Sequence, residues 1–490
     1  MTKFLLILAL LLLTSWVSNA ADRPNILFIC VDDLKPTIGV YGDKIAKTPN
    51  LDRLARMGMR FDKAYCNYAV CAPSRASLLS GTRTTTIGTY FFERGIRAVY
   101  PDAVTMPQYF KNHGYFSEGV GKIFHIGHGL VDDELSWSVP RHDEPEVEYH
   151  DPASTDGGKL TREEAFFSNR ELGHVDDLPR GTAWEKLDVS DETYGDGRIA
   201  AEAVRRLQAA AKKPDQPFFL AVGFLRPHLP FTAPKKYWDL YDETQFKLPD
   251  YRKDPVGAPP YAAKHAEETK NYIPFNDQGK IDDKDAITMI HGYYASVSYV
   301  DAQLGKVLDE FVRLGLDKNT IIVLWGDHGW HLGDHNYWTK HTNYEQANRI
   351  PLFIVAPGVT KPDTQTGRLV ESVDLYPTLV QLAGLPKVEG TQQPIEGVSI
   401  VPILKDPNAN VPGTDHVYSC YLRGEYLGRV IRNDRYRLVE WKKRGAAPET
   451  AEIELYDYEN DPEERKNLAP EHPDVVKEML KVLYQYPEGK

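Results

Sequence analysis

Apolar residues form unbroken runs of strand length at several places in the chain. They are Asn25 to Val31 (NILFICV), Phe218 to Phe224 (FFLAVGF), 320–325 (TIIVLW) and 351–358 (PLFIVAPG). A strand that is apolar at every position is covered on both faces. Between these runs the apolar spacing changes. Val297, Val300, Leu304, Val307 and Phe311 recur at intervals of 3 and 4, and Gly315 follows as a stop. That is one face of a helix. A second helix, rich in alanine, is expected around Ile199 to Leu207. A third is expected over TPNLDRLARMG, with Thr48 as N-cap, Pro49 at the first helical position and Gly58 as the stop. Covered strands alternating with amphipathic helices predict an α/β fold around a mostly parallel central sheet. Ligand sites in such sheets lie beyond the carboxyl ends of the strands. Two of the runs end in polar pairs, Asp32-Asp33 and Asp327-His328, nearly 300 residues apart. In this fold they can face one crevice.

After about Pro402 the pattern changes. HVYSCYL, GRVIRNDRYRLVEW and IELYDY read as short antiparallel strands, and a last helix follows DPEERKNLA. Residues 403–490 are therefore expected to form a smaller C-terminal α+β subdomain after a catalytic domain over 21–402. The stretches 129–195 and 245–285 are polar and rich in Asp, Glu, Pro and Gly. They read as long surface loops of the kind that shape binding sites. At the other end, Lys3 precedes an apolar run from Phe4 to Leu13, and Ser18-Asn19-Ala20 offers small residues for cleavage. This predicts a signal peptide over 1–20 and a mature chain that is exported, periplasmic or secreted. No lipid-anchor cysteine and no later spanning run appear, so no membrane anchor is expected.

Composition narrows the partners. Apolar residues at 42% and charged residues at 26% are ordinary for a soluble globular protein. The formal net charge of −12 argues against nucleic acid, whose phosphates need basic patches. Small or glycan anions respond to local charge in a cleft and stay open. The four cysteines, Cys30, Cys66, Cys71 and Cys420, do not make a disulfide scaffold. Cys30 lies inside an apolar run and reads as a small core residue. Cys66 and Cys71 are near enough in sequence to pair.

Cys71 opens the segment CAPSRASLLSG. Pro73 suits a first helical turn and Gly81 the far end, so Cys71 lies at or just before a helix N-terminus. Free N–H groups and the positive dipole end favour an anion there. A reactive thiolate is one reading of such a position. The segment resembles the signature of type I sulfatases, in which the cysteine is oxidised to formylglycine. The likeness runs along the chain in order, through NILFICVDDL, GKIFHIG, FLRPHLPF, GDHGWHLGDHNYWTKHTN, VDLYPTLVQLAG and LYDYENDPEERKNLA. Within the family, AVCAPSR, GKIFH, RPHLPF and SVSYVDAQLG are most similar to the iduronate-2-sulfatases.

The resemblance implies an alkaline-phosphatase-like sandwich and a sulfuric ester hydrolase. It implies one divalent cation held by Asp32, Asp33, Asp327 and His328, with modified Cys71 completing the site. Oxygen ligands favour Ca²⁺ or Mg²⁺, and Ca²⁺ is expected. The family usually has Asn where this chain and the iduronate branch have His328, a softer ligand. It further implies that Arg75 and Lys122 steady the formylglycine and the sulfate, and that Lys340 binds the sulfate. In that scheme a hydrated aldehyde oxygen attacks sulfur, His228 protonates the leaving alcohol, and His125 draws the proton that releases sulfate. A formylglycine-generating maturation enzyme and a sulfated glycan, with a 2-O-sulfated uronic acid unit, are the implied partners. Arg94, Arg97, Trp330 and Trp338 are candidates for reading a carboxylate and a sugar face, or else are structural. Two other readings share these features: a phosphatase or phosphonate monoester hydrolase of the same superfamily, and a non-catalytic glycan-binding protein.

Overall fold

The computed structural model describes residues 23–168, 172–263, 268–275 and 281–489. The expected signal peptide lies outside them. Seven strands form the central sheet: β1 (Asn25–Val31), β2 (Met59–Tyr65), β3 (Phe116–Gly121), β4 (Phe218–Phe224), β5 (Thr320–Gly326), β6 (Arg349–Val355) and β7 (Thr364–Glu371). Their order is β3-β4-β1-β5-β6-β2-β7. All neighbours run parallel except β6, which is antiparallel to both β5 and β2. The apolar run at 351–358 thus belongs to a reversed strand that starts earlier and stops at Val355. An apolar run has no direction of its own, so the reversal had no sequence signal.

The sheet is covered on both faces, as its apolar strands require. Alternate residues of β1 point to opposite sides. Leu27, Ile29 and Val31 pack with helix α4 (Gly195–Ala211) and helix α5 (Asp283–Arg313) through Ile199, Ala203, Leu207, Val297, Leu304 and Phe311. Ile26, Phe28 and Cys30 pack with helix α2 (Cys71–Ser80), helix α3 (Met106–Asn112) and helix α6 (Leu375–Leu382) through Leu78, Leu79, Phe110 and Leu379. Helix α1 (Pro49–Met57) lies on the first face. Cys30 is the buried core residue its neighbours suggested.

Two details differ from expectation. Helix α5 starts at Asp283, inside the stretch 245–285 expected to be loop, capped by the Asp282 side chain on the Asp285 N–H. Its first half carries the same stripe through Ala286, Met289 and Tyr293. Around α1, the Thr48 hydroxyl does not cap; it accepts from the Gly39 N–H at 3.0 Å. Gly58 ends the helix at φ −150°, outside the left-handed region. A Cβ there would come within 2.3 Å of the Ile354 carbonyl oxygen, so the glycine serves close packing against β6.

A four-stranded antiparallel sheet follows: β8 (His416–Arg423), β9 (Tyr426–Asn433), β10 (Tyr436–Lys443) and β11 (Glu452–Asp457). GRVIRNDRYRLVEW splits into β9 and β10 at Asp434-Arg435, and helix α7 (Pro473–Leu483) packs on the sheet. This sheet touches the loop that leads into α2. The Cys420 N–H donates to the Asn67 carbonyl at 3.2 Å, and Tyr421 stacks on Tyr68 at 4.8 Å. Among the described residues no helix is long and apolar enough to cross a membrane.

Candidate active site

The three middle strands of the parallel part continue their ladder one step past their ends. The Asp32 N–H donates to the Phe224 carbonyl, and the Asp327 N–H donates to the Val31 carbonyl. This brings the two polar pairs together. Asp33 turns sharply away with φ +56°, and its N–H donates to Asp327 Oδ1 at 3.0 Å. Tyr293 of α5 fixes the same turn by donating to the Asp33 carbonyl at 2.8 Å. On the neighbouring edge, Gly121 and Gly223 lie opposite each other. A Cβ on Gly223 would stand 1.9 Å from the Lys122 carbonyl oxygen, so glycine lets the chain cross β4 and aim Lys122 inward.

Cys71 is the first residue of α2, and Gly81 closes that helix in the left-handed region at φ +70°. The Cys71 sulfur is 3.2 Å from His328 Nε2 and 4.0 Å from Asp33 Oδ1. It is not paired with Cys66, whose sulfur faces the Ala347 carbonyl at 3.8 Å. Ligand atoms of Asp32, Cys71, Asp327 and His328 lie within 4.8 Å of one another, and so do those of Asp32, Asp33, Cys71 and His228. His328 Nδ1 faces the Gly329 carbonyl at 3.0 Å. Donating there leaves Nε2 with its lone pair toward the carboxylates.

Cations surround the acids. Arg75 Nε donates to Asp327 Oδ2 at 2.9 Å, and its other nitrogens reach Asp32 and the carbonyls of Lys122 and Ile123. Lys122 Nζ bridges Asp32 Oδ2 at 2.6 Å and Glu146 Oε2 at 2.7 Å. Lys340 Nζ stands 3.1 Å from both oxygens of Asp33 and 3.1 Å from Glu268 Oε1. Among the described residues, five carboxylates (Asp32, Asp33, Glu146, Glu268, Asp327) thus meet three cations in a buried network. The site is two positive charges short, and an oxygen-rich set beside one imidazole fits a divalent cation that supplies them.

The titrations reflect this imbalance. Burial alone would raise Asp32, but Lys122, His228 and Arg75 hold it well below the usual range. Burial with the neighbouring acids pushes Asp33 well up, and burial with Asp32 pushes Asp327 up to about 7. Burial and then Asp32 push the Cys71 thiol well up. Burial and Lys122 keep His125 neutral, and burial and Lys340 bring His228 down to about 4 against the pull of Asp32 and Glu268.

The cavity above Cys71 holds about 350 Å³. His125 lines it with both ring nitrogens buried and unpartnered among the described residues, its ring stacked on Phe92 at 4.7 Å. Phe92 also stacks on His128, which stacks on Phe166. His228 enters from the loop after β4. Asp196 of α4 accepts from the Leu225 and Arg226 N–H groups, and Arg226 donates to the carbonyls of Glu146, His228 and Pro230. His228 Nδ1 faces the Leu229 carbonyl at 2.5 Å, which leaves Nε2 toward the cavity. All ten candidate site residues are therefore brought together. The sugar-reading candidates are not. Trp330 is fully buried behind Lys340, and Trp338 is buried in the core. Arg97 is locked onto Asp133 at 2.5 and 2.9 Å. Arg94 and Arg97 both line a neighbouring cavity of about 360 Å³, which Arg75 and His125 of the site also line. Glu146, Glu268 and His128 were not anticipated; single polar or aromatic residues in loops carry no pattern.

The sulfatase family profile matches residues 24–385, and a profile described as N-sulphoglucosamine sulphohydrolase, C-terminal, matches 333–488. Iduronate 2-sulfatase of Mus musculus is 36% identical over 413 residues, covering 75% of this chain and 70% of that protein. A sulfatase of Formosa agariphila is 31% identical, covering 96% and 88%. Two solved structures share the fold. One holds D-glucosamine-2-N,6-O-disulfate as substrate (TM-score 0.71, 21% identity, 94% and 97% covered). The other is a phosphonate monoester hydrolase of Agrobacterium radiobacter (TM-score 0.71, 22% identity, 94% and 96% covered). With its catalytic signature, its strand-end acids and these relatives, the chain belongs to the sulfatase family and is a sulfuric ester hydrolase related to the iduronate 2-sulfatases.

Proposed function

We propose that this protein removes sulfate from a sulfated saccharide, the 2-O-sulfate of a uronic acid unit, with Cys71 converted to formylglycine and one Ca²⁺ bound. The observation that carries the reading is the position of Cys71, first residue of a buried helix and 3.2 Å from His328, beside a network short of two positive charges. The iduronate relatives support the uronate 2-O-sulfate. The carboxylate-rich donor set supports Ca²⁺, with Mg²⁺ as the alternative. Hydrated formylglycine supplies an oxygen nucleophile, and the cation supplies charge that offsets the negative sulfate.

The side chains divide the remaining work. Asp32, Asp33, Asp327 and His328 hold the cation. Arg75 is fully committed to Asp32, Asp327 and two carbonyls, so it steadies the ligands and the base of α2. Lys122 and Lys340 present positive charge to the sulfate. His228 Nε2 protonates the leaving alcohol oxygen; an anionic ester beside it raises the low affinity for a proton that burial and Lys340 impose. His125, neutral and with both nitrogens unpartnered, accepts the proton that accompanies sulfate release. Export with removal of residues 1–20, maturation by a formylglycine-generating enzyme, and a division into 21–402 and 403–490 belong to the same proposal.

Protein co-expressed with a maturation enzyme is to be assayed on a panel of sulfated disaccharides, with an aryl phosphonate monoester alongside. Sulfate release from the 2-O-sulfated uronate is expected to be fastest. Faster cleavage of the phosphonate, or no sulfate from any sugar, would overturn the reading. His228→Ala gives a finer result. General acid help is worth about 10²–10⁴-fold, and nitrophenolate leaves without it. The variant is expected to lose far more rate on a sulfated sugar than on nitrophenyl sulfate. An equal loss on both would leave His228 binding sulfate or holding structure, with Lys340 the next candidate for the acid.

A further inference from the structure

Glu268 is the one acid of the charged network that faces the cavity without touching Asp32, Asp327 or Arg75. It is only 8% exposed. Its placement is built: the next residue, Thr269, donates from its hydroxyl to the Trp338 carbonyl at 2.7 Å, tying this segment to the loop that carries Lys340. Oε1 is shared by Lys340 Nζ at 3.1 Å and His228 Nε2 at 3.2 Å. Oε2 is different. It is buried and, among the described residues, accepts no hydrogen bond; the His341 ring nitrogen stands 3.8 Å away. Lys340, His228 and His341 keep the carboxyl ionised against the effect of burial. An ionised oxygen buried without a donor is costly, and native sites rarely keep one. A cavity ligand that brings an O–H group removes that cost.

A sulfated sugar brings such a group. The scissile oxygen must approach His228 Nε2, and Glu268 already touches that nitrogen. In a 2-O-sulfated uronic acid unit the hydroxyl on C3, next to the sulfated carbon, is the donor closest to the scissile oxygen. We propose that Glu268 is a specificity-determining residue whose Oε2 accepts a hydrogen bond from the sugar hydroxyl adjacent to the sulfate. This rests on the saccharide sulfatase reading above. The same oxygen, being anionic, disfavours substrates in which that hydroxyl carries a second sulfate.

The test pairs the residue with the substrate group. The matured protein, Glu268→Gln and Glu268→Ala are assayed on the methyl glycoside of a 2-O-sulfated uronic acid and on its analogue lacking the adjacent hydroxyl. A hydrogen bond to a charged acceptor is worth about 10- to 100-fold. The unaltered protein is expected to prefer the hydroxylated substrate by that factor in kcat/KM. Glu268→Gln reduces the preference and Glu268→Ala abolishes it. A purely structural role would slow both substrates alike, so an unchanged preference in Glu268→Gln, which keeps the side chain's volume, overturns the proposal even if Glu268→Ala does not fold. Nitrophenyl sulfate, which has no such hydroxyl, reports sulfate ester cleavage by itself. If the unaltered protein cleaves it and both sugars without hydroxyl preference, only the role of Glu268 falls; if it releases sulfate from neither sugar, the saccharide sulfatase reading falls as well.

Discussion

Cys71→Ala is expected to fold and to lose nearly all turnover, on the order of 10⁴-fold or more. The side chain is small, and its closest polar neighbour is His328 Nε2. Its removal leaves Arg75, Lys122 and the strand-end acids in place, so the binding charge remains while the nucleophile's parent is gone. Circular dichroism should match the unaltered protein, and sulfate release should fall to background. Cys71→Ser is expected to fail as well, unless the host carries a maturation system that accepts serine. Normal turnover in Cys71→Ala would remove the residue from the chemistry.

Asp327→Ala is expected to remove both metal and activity. One Asp327 oxygen accepts from the backbone N–H groups of Asp33 and His328, and the other accepts from Arg75 Nε. Alanine therefore unpairs three buried donors and deletes one of the anionic ligands at once. Because such a variant can be unstable, Asp327→Asn is the companion. Its amide oxygen keeps an acceptor for the backbone groups, while the charge and the acceptor for Arg75 Nε are lost. Elemental analysis of the purified variant should show metal far below one ion per chain, with turnover lower by about 10²–10³-fold or more, the scale on which a single aimed charge contributes. Full metal content together with normal turnover in Asp327→Asn would contradict the shared cation site.

Much of this site was legible because it sits where chemistry and pattern coincide. Asp32, Asp33, Asp327 and His328 follow apolar runs, and in a parallel sheet the ends of adjacent strands meet. Cys71 and Arg75 lie within one long signature, and Lys122, His125, His228 and Lys340 within shorter ones. The direction of β6 was not legible, since its residues are as apolar as those of β5 and the run says nothing about which way it points. The first half of α5 could have been found, because Ala286, Met289 and Tyr293 continue the stripe that begins at Val297. Gly292 interrupts that half in sequence, but its backbone packs beneath Phe231 and Trp238, where a Cβ would crowd both rings. Trp330 and Trp338 misled for a simple reason. Aromatic rings beside a polar motif suit a sugar or a core equally, and here Trp330 backs Lys340 at 5.6 Å while Trp338 fills the core. Glu268 was invisible because its role comes from Lys340 and His228, more than 30 residues away on different loops.

Trypsin cuts after Lys63 and Arg75, releasing one peptide that carries both Cys66 and Cys71. Its mass, measured on alkylated protein from a host with a maturation enzyme, is the direct test of the central claim. The expected peptide has Cys66 alkylated and Cys71 as an aldehyde, with the sulfur and two hydrogens of the thiol side chain replaced by one oxygen, or as its hydrate, heavier by one water. A fully active protein whose peptide shows both cysteines alkylated, or the two joined as a disulfide, would contradict it.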